Sequence, residues 1–234
     1  MLGGEVIADS TNVLLVWEIP YYPTYYFPVA DVAMDLLVDT GETKSSPSRG
    51  DATFYAVKSG GAEGKAYRYL EPKIEECTDR VVLVWDTMDH WYEEDEEVYV
   101  HARDPYTRLD ILPTSRRVRV EIDGVTIADS ASPSILFESG LPARYYLPKT
   151  HVRMDLLTPT DQATHCPYKG TARYWDVTVN GTVHENIVWG YDRPLPESQL
   201  IAGLVSFYNE KVDIYIDDVL EERPKTKFSS QPYS

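Results

Sequence analysis

The sequence predicts an all-β protein of two tandem, related modules. Each reads as a small β-barrel or strongly bent antiparallel sheet with one or two short helices, the pair related by a pseudo-twofold axis. Three observations carry this reading: the chain repeats itself at a spacing of 120 residues, its periodic segments alternate apolar and polar residues, and an Asn-Gly pair joins two such segments as a hairpin.

The repeat is explicit. Ile7-Ala8-Asp9-Ser10 returns as Ile127-Ala128-Asp129-Ser130, and residues 25–37 match residues 145–157 at eight of 13 positions. Chance would supply about one match in 13. The register continues without a gap through Pro47/Pro167, Arg49/Lys169, Gly50/Gly170, Ala52/Ala172, Phe54/Tyr174, Tyr55/Trp175 and Val57/Val177. Further on, residues 67–72 resemble residues 189–194 at a spacing of 122. The module boundaries read as 1–112, 113–220 and a polar flexible tail, 221–234, with Leu112-Pro113-Thr114-Ser115 as the linker.

In chain order, the first copy starts near Gly4 without a leading strand, so its sheet must be covered there by something else. Residues 13–17 and 81–85 read as strands. In residues 86–97 Met88, Trp91 and Tyr92 sit at the i, i+3, i+4 spacing of a short helix with an acidic end. The second copy opens with residues 117–127, a strand, an Asp-Gly turn and a strand, followed by a strand at 135–138. Residues 172–179, Asn180-Gly181 and residues 182–189 form the hairpin signature, residues 197–205 read as a short helix behind Pro194 and Pro196, and residues 211–217 read as a strand.

Composition excludes several functions. With 38 Asp+Glu against 22 Lys+Arg, the net charge of −16 argues against nucleic acid or an anionic membrane as partner, since both need a basic field. No apolar run approaches the roughly 20 residues that span a bilayer, and the start shows no signal-peptide pattern. Two cysteines are too few for a disulfide scaffold and fit a reduced cytoplasm, so the expected location is cytoplasmic.

The most chemical segment is Thr164-His165-Cys166-Pro167-Tyr168-Lys169-Gly170, where an imidazole, a thiol and an ammonium lie together in a short loop. A nearby cation activates a thiol, and a desolvated lysine serves as an anion anchor or base. A structural reading stands beside this one: Cys166 as a small buried hydrophobe, Pro167 shaping the turn and Gly170 giving backbone room. The first copy has Ser45-Ser46-Pro47-Ser48-Arg49-Gly50 at the matching positions, keeping the cation, Pro and Gly but neither thiol nor imidazole. Catalytic chemistry is therefore expected at Cys166, Lys169 and His165, in the second module or between modules. Ligand contacts are expected from Tyr146, Tyr168, Trp175, Arg49, His101 and Arg103. His101 and Arg103 share one face of an extended segment, with an Arg103–Asp salt bridge as the structural alternative. Of each tyrosine pair, Tyr25-Tyr26 and Tyr145-Tyr146, alternation puts one in the core and one in solvent. The five histidines are scattered with no metal-binding spacing, so no metal and no cofactor is assigned.

Taken together, Tyr145-Tyr146-Leu147-Pro148, Asp155-Leu156-Leu157, the segment from Thr164 to Trp175, and Trp189-Gly190-Tyr191 resemble the bacterial family called domain of unknown function 427. The tandem arrangement, with Trp85-Asp86-Thr87-Met88-Asp89 in the first copy, is similar to two-domain members common in actinobacteria. The resemblance covers nearly the whole chain apart from the tail and implies a compact β fold, with no established activity. A nucleotidyltransferase label that the family has carried finds no Gly-rich phosphate loop, Gly-Lys-Thr/Ser or Asp-x-Asp pair in this sequence. The expected function is small-molecule binding, by an enzyme acting on a small anionic or polar substrate. The alternatives are a protein-interaction module using the acidic segment, and a nucleotide-dependent transferase. A homo-oligomer is left open.

Overall fold

Sheet pairing reproduces the repeat. The computed structural model describes residues 1–229, in two compact units, Met1–Asp104 and a second from Pro105 onward. In the first unit, β1 (Leu14–Val16), β2 (Thr24–Pro28), β3 (Leu37–Ser46), β4 (Gly50–Ser59), β5 (Ala62–Tyr69) and β6 (Arg80–Leu83) form an antiparallel sheet in the order β1-β2-β6-β5-β4-β3. A separate hairpin follows, β7 (Tyr92–Glu93) with β8 (Glu96–Glu97).

The second unit contains β9 (Leu109–Pro113), β10 (Val118–Ile122), β11 (Val125–Ser130), β12 (Ser134–Glu138), β13 (Arg144–Pro148), β14 (Leu157–Cys166), β15 (Gly170–Val179), β16 (Thr182–Gly190), β17 (Leu204–Phe207), β18 (Asp213–Ile216) and β19 (Val219–Leu220). Its larger sheet runs β9-β12-β13-β17-β16-β15-β14, which is the first unit's order with one strand added at the edge. That added strand contains Leu112 and Pro113, so the segment read as a linker is an edge strand paired with β12. The other strands form a four-stranded sheet, β11-β10-β18-β19. Both modules are open bent sheets; among the described residues none closes into a barrel.

Local details repeat as well. Ala8 bridges Val32 as Ala128 bridges Val152, and β3–β4 and β14–β15 are broken by irregularities at Asp39/Thr43 and Pro159/Ala163. The hairpin expected at Asn180-Gly181 is present, with φ of 50° and 79°, the left-handed pair that matches the twist of two antiparallel strands. The drift in repeat spacing from 120 to 122 has a physical cause. Between Trp175 and Val177 the β15–β16 ladder skips, and β16 bulges around Asn186, whose φ is 47° and whose N–H donates to Asp176 at 2.7 Å.

Each larger sheet is covered on both faces. In the second unit Val118, Ile127, Leu147, Val177, Val188 and Phe207 pack on one face, while Leu136, Tyr146, Ala172, Tyr174, Trp189 and Tyr191 pack on the other. Tyr145 and Tyr146 are consequently both buried, at 5% and 1% exposure, and the expected solvent-facing partner does not exist. The first unit has no counterpart of the four-stranded sheet. Its equivalent face is covered by Leu2 and Ile7 together with Met88, Trp91 and Val98.

Of the two expected short helices, one forms, at Pro196–Ile201, and the other does not. Residues 86–97 continue from a 3-10 turn, Trp85–Thr87, into the β7–β8 hairpin. Trp85 and Trp91 stack in parallel at 4.5 Å, an arrangement closed to residues six apart on an α-helix, and a helix would also bring carboxylates of the acidic run one turn apart. Residues 196–201 form a 3-10 segment kinked at Ser198 rather than an α-helix. The tail is anchored through residue 229: Tyr145 donates to Glu221 at 2.7 Å, Thr226 donates to Glu210 at 2.6 Å, and Phe228 packs on Tyr208. Residues 230–234 lie outside the described residues.

Candidate functional site

The loop singled out in the sequence is the tip of the β14–β15 hairpin. Cys166 faces Gly170 across it, Gly170 has a φ of 90°, and the tip is held by Leu195 N–H donating to the Lys169 carbonyl at 3.2 Å and Ser198 Oγ donating to the Tyr168 carbonyl at 3.0 Å. Tyr168 is buried, and its backbone serves this anchoring. Pinned in this way, Lys169 turns inward. Its Nζ donates to Glu138 Oε2 at 2.5 Å, and the two side chains are 10% and 11% exposed.

Around that pair lie Tyr146, Tyr174, Trp189 and Tyr191. Trp189 Nε1 donates to the Tyr146 hydroxyl at 3.1 Å, and Tyr174 shares a hydrogen bond with Thr164 at 2.8 Å. Burial drives the Tyr191 phenol well above its ordinary pKa, helped by Tyr146, Cys166, Tyr174 and Glu138 nearby. The same forces, burial first, raise Tyr146. Cys166 is thus part of this surround. His165 is not: it alternates to the other side of β14, is exposed, and pairs with Thr171 Oγ1 at 2.9 Å. Trp175 also faces away, lying in the opposite core beneath the Lys149 ammonium at 5.0 Å.

The first copy builds the same centre with different groups. Arg49, at the place of Lys169, donates from Nε to the Tyr69 hydroxyl at 3.0 Å and lies 3.5 Å from Glu18. Glu18 stands where the second copy has Glu138, and its Oε1 accepts hydrogen bonds from both Tyr26 and Tyr67. Burial and then Glu18 push these two phenols upward. The Arg49 guanidinium is raised, chiefly by its hydrogen bond to Tyr69. This carboxylate is therefore held by two phenols and a guanidinium. In the second copy Trp189 replaces Tyr67 and turns its donor to Tyr146, so Glu138 keeps only Lys169 among the described residues.

Glu18, Glu138, Tyr67, Tyr69 and Tyr191 were missed by motif reasoning. The repeat spacing alone identifies the carboxylates, because Glu18 and Glu138 are 120 residues apart, as are Arg49 and Lys169.

His101 and Arg103 belong to the first unit, whereas Cys166, Lys169 and His165 belong to the second. The His101 ring stacks on Tyr22 at 4.0 Å, with its Nδ1 donating to the Ala102 carbonyl at 2.7 Å. Arg103 lies 3.3 Å from Glu96 and 4.0 Å from Glu93, the ion-pair role weighed for it, although with glutamates rather than an aspartate. His101 lines a cavity of about 200 Å³ together with Tyr22, Tyr25, Tyr67, Trp85 and Trp91.

Among the described residues no three His, Cys, Asp or Glu side chains converge in a way that would hold a metal ion, and no helix is long and apolar enough to cross a membrane. The family model described as Domain of unknown function (DUF427) matches residues 1–94 and 110–218. A comparison with curated proteins finds no match.

Proposed function

Since the chain belongs to the DUF427 family, whose description assigns no activity, we propose from the site itself that it is a small-molecule-binding protein, an enzyme acting on a small polar or anionic substrate held by the second unit. One observation carries the reading: Glu138 has Lys169 as its one side-chain partner among the described residues, whereas Glu18 at the matching position is held by two phenols and a guanidinium. An ammonium has three donors, and Lys169, in a buried position, spends one on Glu138. Buried polar groups are normally satisfied, so unused capacity of this kind points to a ligand. In the proposed complex Lys169 and Tyr191 hold a substrate oxygen, Glu138 exchanges a proton with it, and the Cys166 thiol stands at the rim as nucleophile or hydrogen-bond donor.

Differential scanning fluorimetry of the full chain against small carboxylic acids, phosphate esters and amides tests this. The expected result is a rise in Tm with one class, lost in Lys169→Met and Cys166→Ser while circular dichroism stays unchanged. A shift retained in full by both variants removes the site from consideration. Arg49→Met serves as the internal comparison, expected to lower Tm without altering the ligand response.

The interaction-module reading draws less support. Its acidic segment spends carboxylates internally, Glu93 on Tyr25, Glu96 on Arg103, and Glu97 on His90 and Tyr99. A nucleotide-dependent transferase predicts a thermal shift with nucleotide plus magnesium in the same assay.

A further inference from the structure

The two copies also differ at a second set of positions, which in the second unit surrounds Arg144. In the second unit the Arg144 guanidinium is buried in a cage. It makes a two-pronged ion pair with Glu210, at 2.6 and 2.8 Å, donates also to Asn209 Oδ1 at 3.2 Å, and lies 5.5, 5.7 and 6.0 Å from the ring centres of Trp189, Tyr208 and Phe228. Carboxylate plus aromatic faces is the environment that favours a desolvated organic cation.

Strand register locates the same positions in the first unit. Val16 faces Thr24 as Leu136 faces Arg144, so Thr24 stands in place of Arg144. Phe54 faces Tyr67 as Tyr174 faces Trp189, so the ring is kept. Pro28 faces Arg80 as Pro148 faces Leu204, and counting on without a gap sets Asp86 in place of Glu210 and Trp85 in place of Asn209. The first unit thus keeps the carboxylate and one ring of the cage, Tyr67; Val84 stands in place of Tyr208, Trp85 brings a ring where the second unit has Asn209, and the cation is lost. Thr24, Tyr67, Trp85 and Asp86 all line the cavity of about 200 Å³, and Tyr25, Trp91 and His101 are also part of its wall. Arg103, close to Tyr25, is taken up by Glu96 and Glu93.

We infer that this cavity binds an organic cation, a guanidinium or alkylammonium group, which occupies the place that the Arg144 side chain fills in the other copy. The cation's charge pairs with Asp86 and its flat or methylated faces rest on Tyr67 and Trp85. This site is separate from the Lys169 centre and stands or falls independently of it.

Isothermal titration calorimetry of the full chain with methylguanidinium chloride, below denaturing concentrations and with sodium chloride holding ionic strength constant, tests the inference. Saturable binding is expected, weakened about tenfold by Asp86→Asn, the loss of a single charge-assisted contact. Thr24→Arg supplies the cation from the chain itself, and is expected to abolish titratable binding while raising Tm by roughly 2–4 °C. Lack of saturable binding to the unsubstituted protein overturns the inference, and so does binding that is unchanged in Asp86→Asn. Should Thr24→Arg misfold, the Asp86→Asn comparison still decides, since Asp86 is exposed and its neutralisation leaves the core intact.

Discussion

Arg144 and Glu210 show how much a single residue pair contributes. Glu210's side chain is fully buried and its guanidinium partner nearly so. Removing one partner leaves the other charge without compensation, so Arg144→Met is expected to cost about 3–5 kcal/mol, read from urea unfolding. The same pair gives a pH dependence. Burial alone would raise the Glu210 carboxyl, but hydrogen bonds from Arg144 and Thr226 outweigh it and hold the group below the usual carboxylate range. A depressed folded value means the stabilisation is complete above the unfolded value near 4.3 and disappears as pH falls through the folded one. Urea midpoints from pH 7 down to pH 3 should decline less steeply for Glu210→Gln than for the unsubstituted chain, from a lower starting value; parallel profiles would refute the assignment. The sequence disclosed Lys169 and Cys166 because the copies differ there within an otherwise shared motif. It concealed Arg144, because Thr24 and Arg144, although 120 residues apart, look like an ordinary mismatch until the fold brings Glu210 and the aromatic rings around the guanidinium. Glu18 and Glu138 were hidden too, since a glutamate ending a short strand reads as solvent-facing.

At the level of elements, strands, tight turns and the short helix at Pro196–Ile201 were legible, and the segment 86–97 was not. Asn180-Gly181 encodes its own left-handed turn, whereas the segment after β6 carries a helical apolar spacing that a ring stack between Trp85 and Trp91 overrides. The turn of that hairpin puts Glu94 at a φ of 53°, a conformation that costs an L-residue with a Cβ. Glu94→Gly should therefore stabilise the first unit by up to about 1 kcal/mol once the backbone entropy of glycine is deducted. A fall in its thermal midpoint would mean that the Glu94 side chain makes a contribution of its own. The expectation of one buried and one exposed tyrosine per pair failed at Tyr145-Tyr146 for a reason beyond local periodicity. The four-stranded sheet that covers one face is built from strands both before and after the pair in sequence.

For the whole molecule, the duplication was readable because it kept its spacing through three strands, and the division into two units follows it. Each unit buries two apolar clusters of its own. Residues 105–234 expressed alone are therefore expected to melt cooperatively; a broad, featureless transition would show that this core is incomplete. The bulge at Asn186 also constrains how the two copies could diverge. It adds two residues to β16 relative to β5. A one-residue slip of the pairing beyond the bulge would have exchanged Val188 and Trp189 between the two faces of the sheet, sending the indole into the aliphatic core and a valine to the polar centre. A length change in this strand is therefore tolerated only where the ladder absorbs it locally, as β16 does at Asn186 with two residues and β11 does at Ile127 with one.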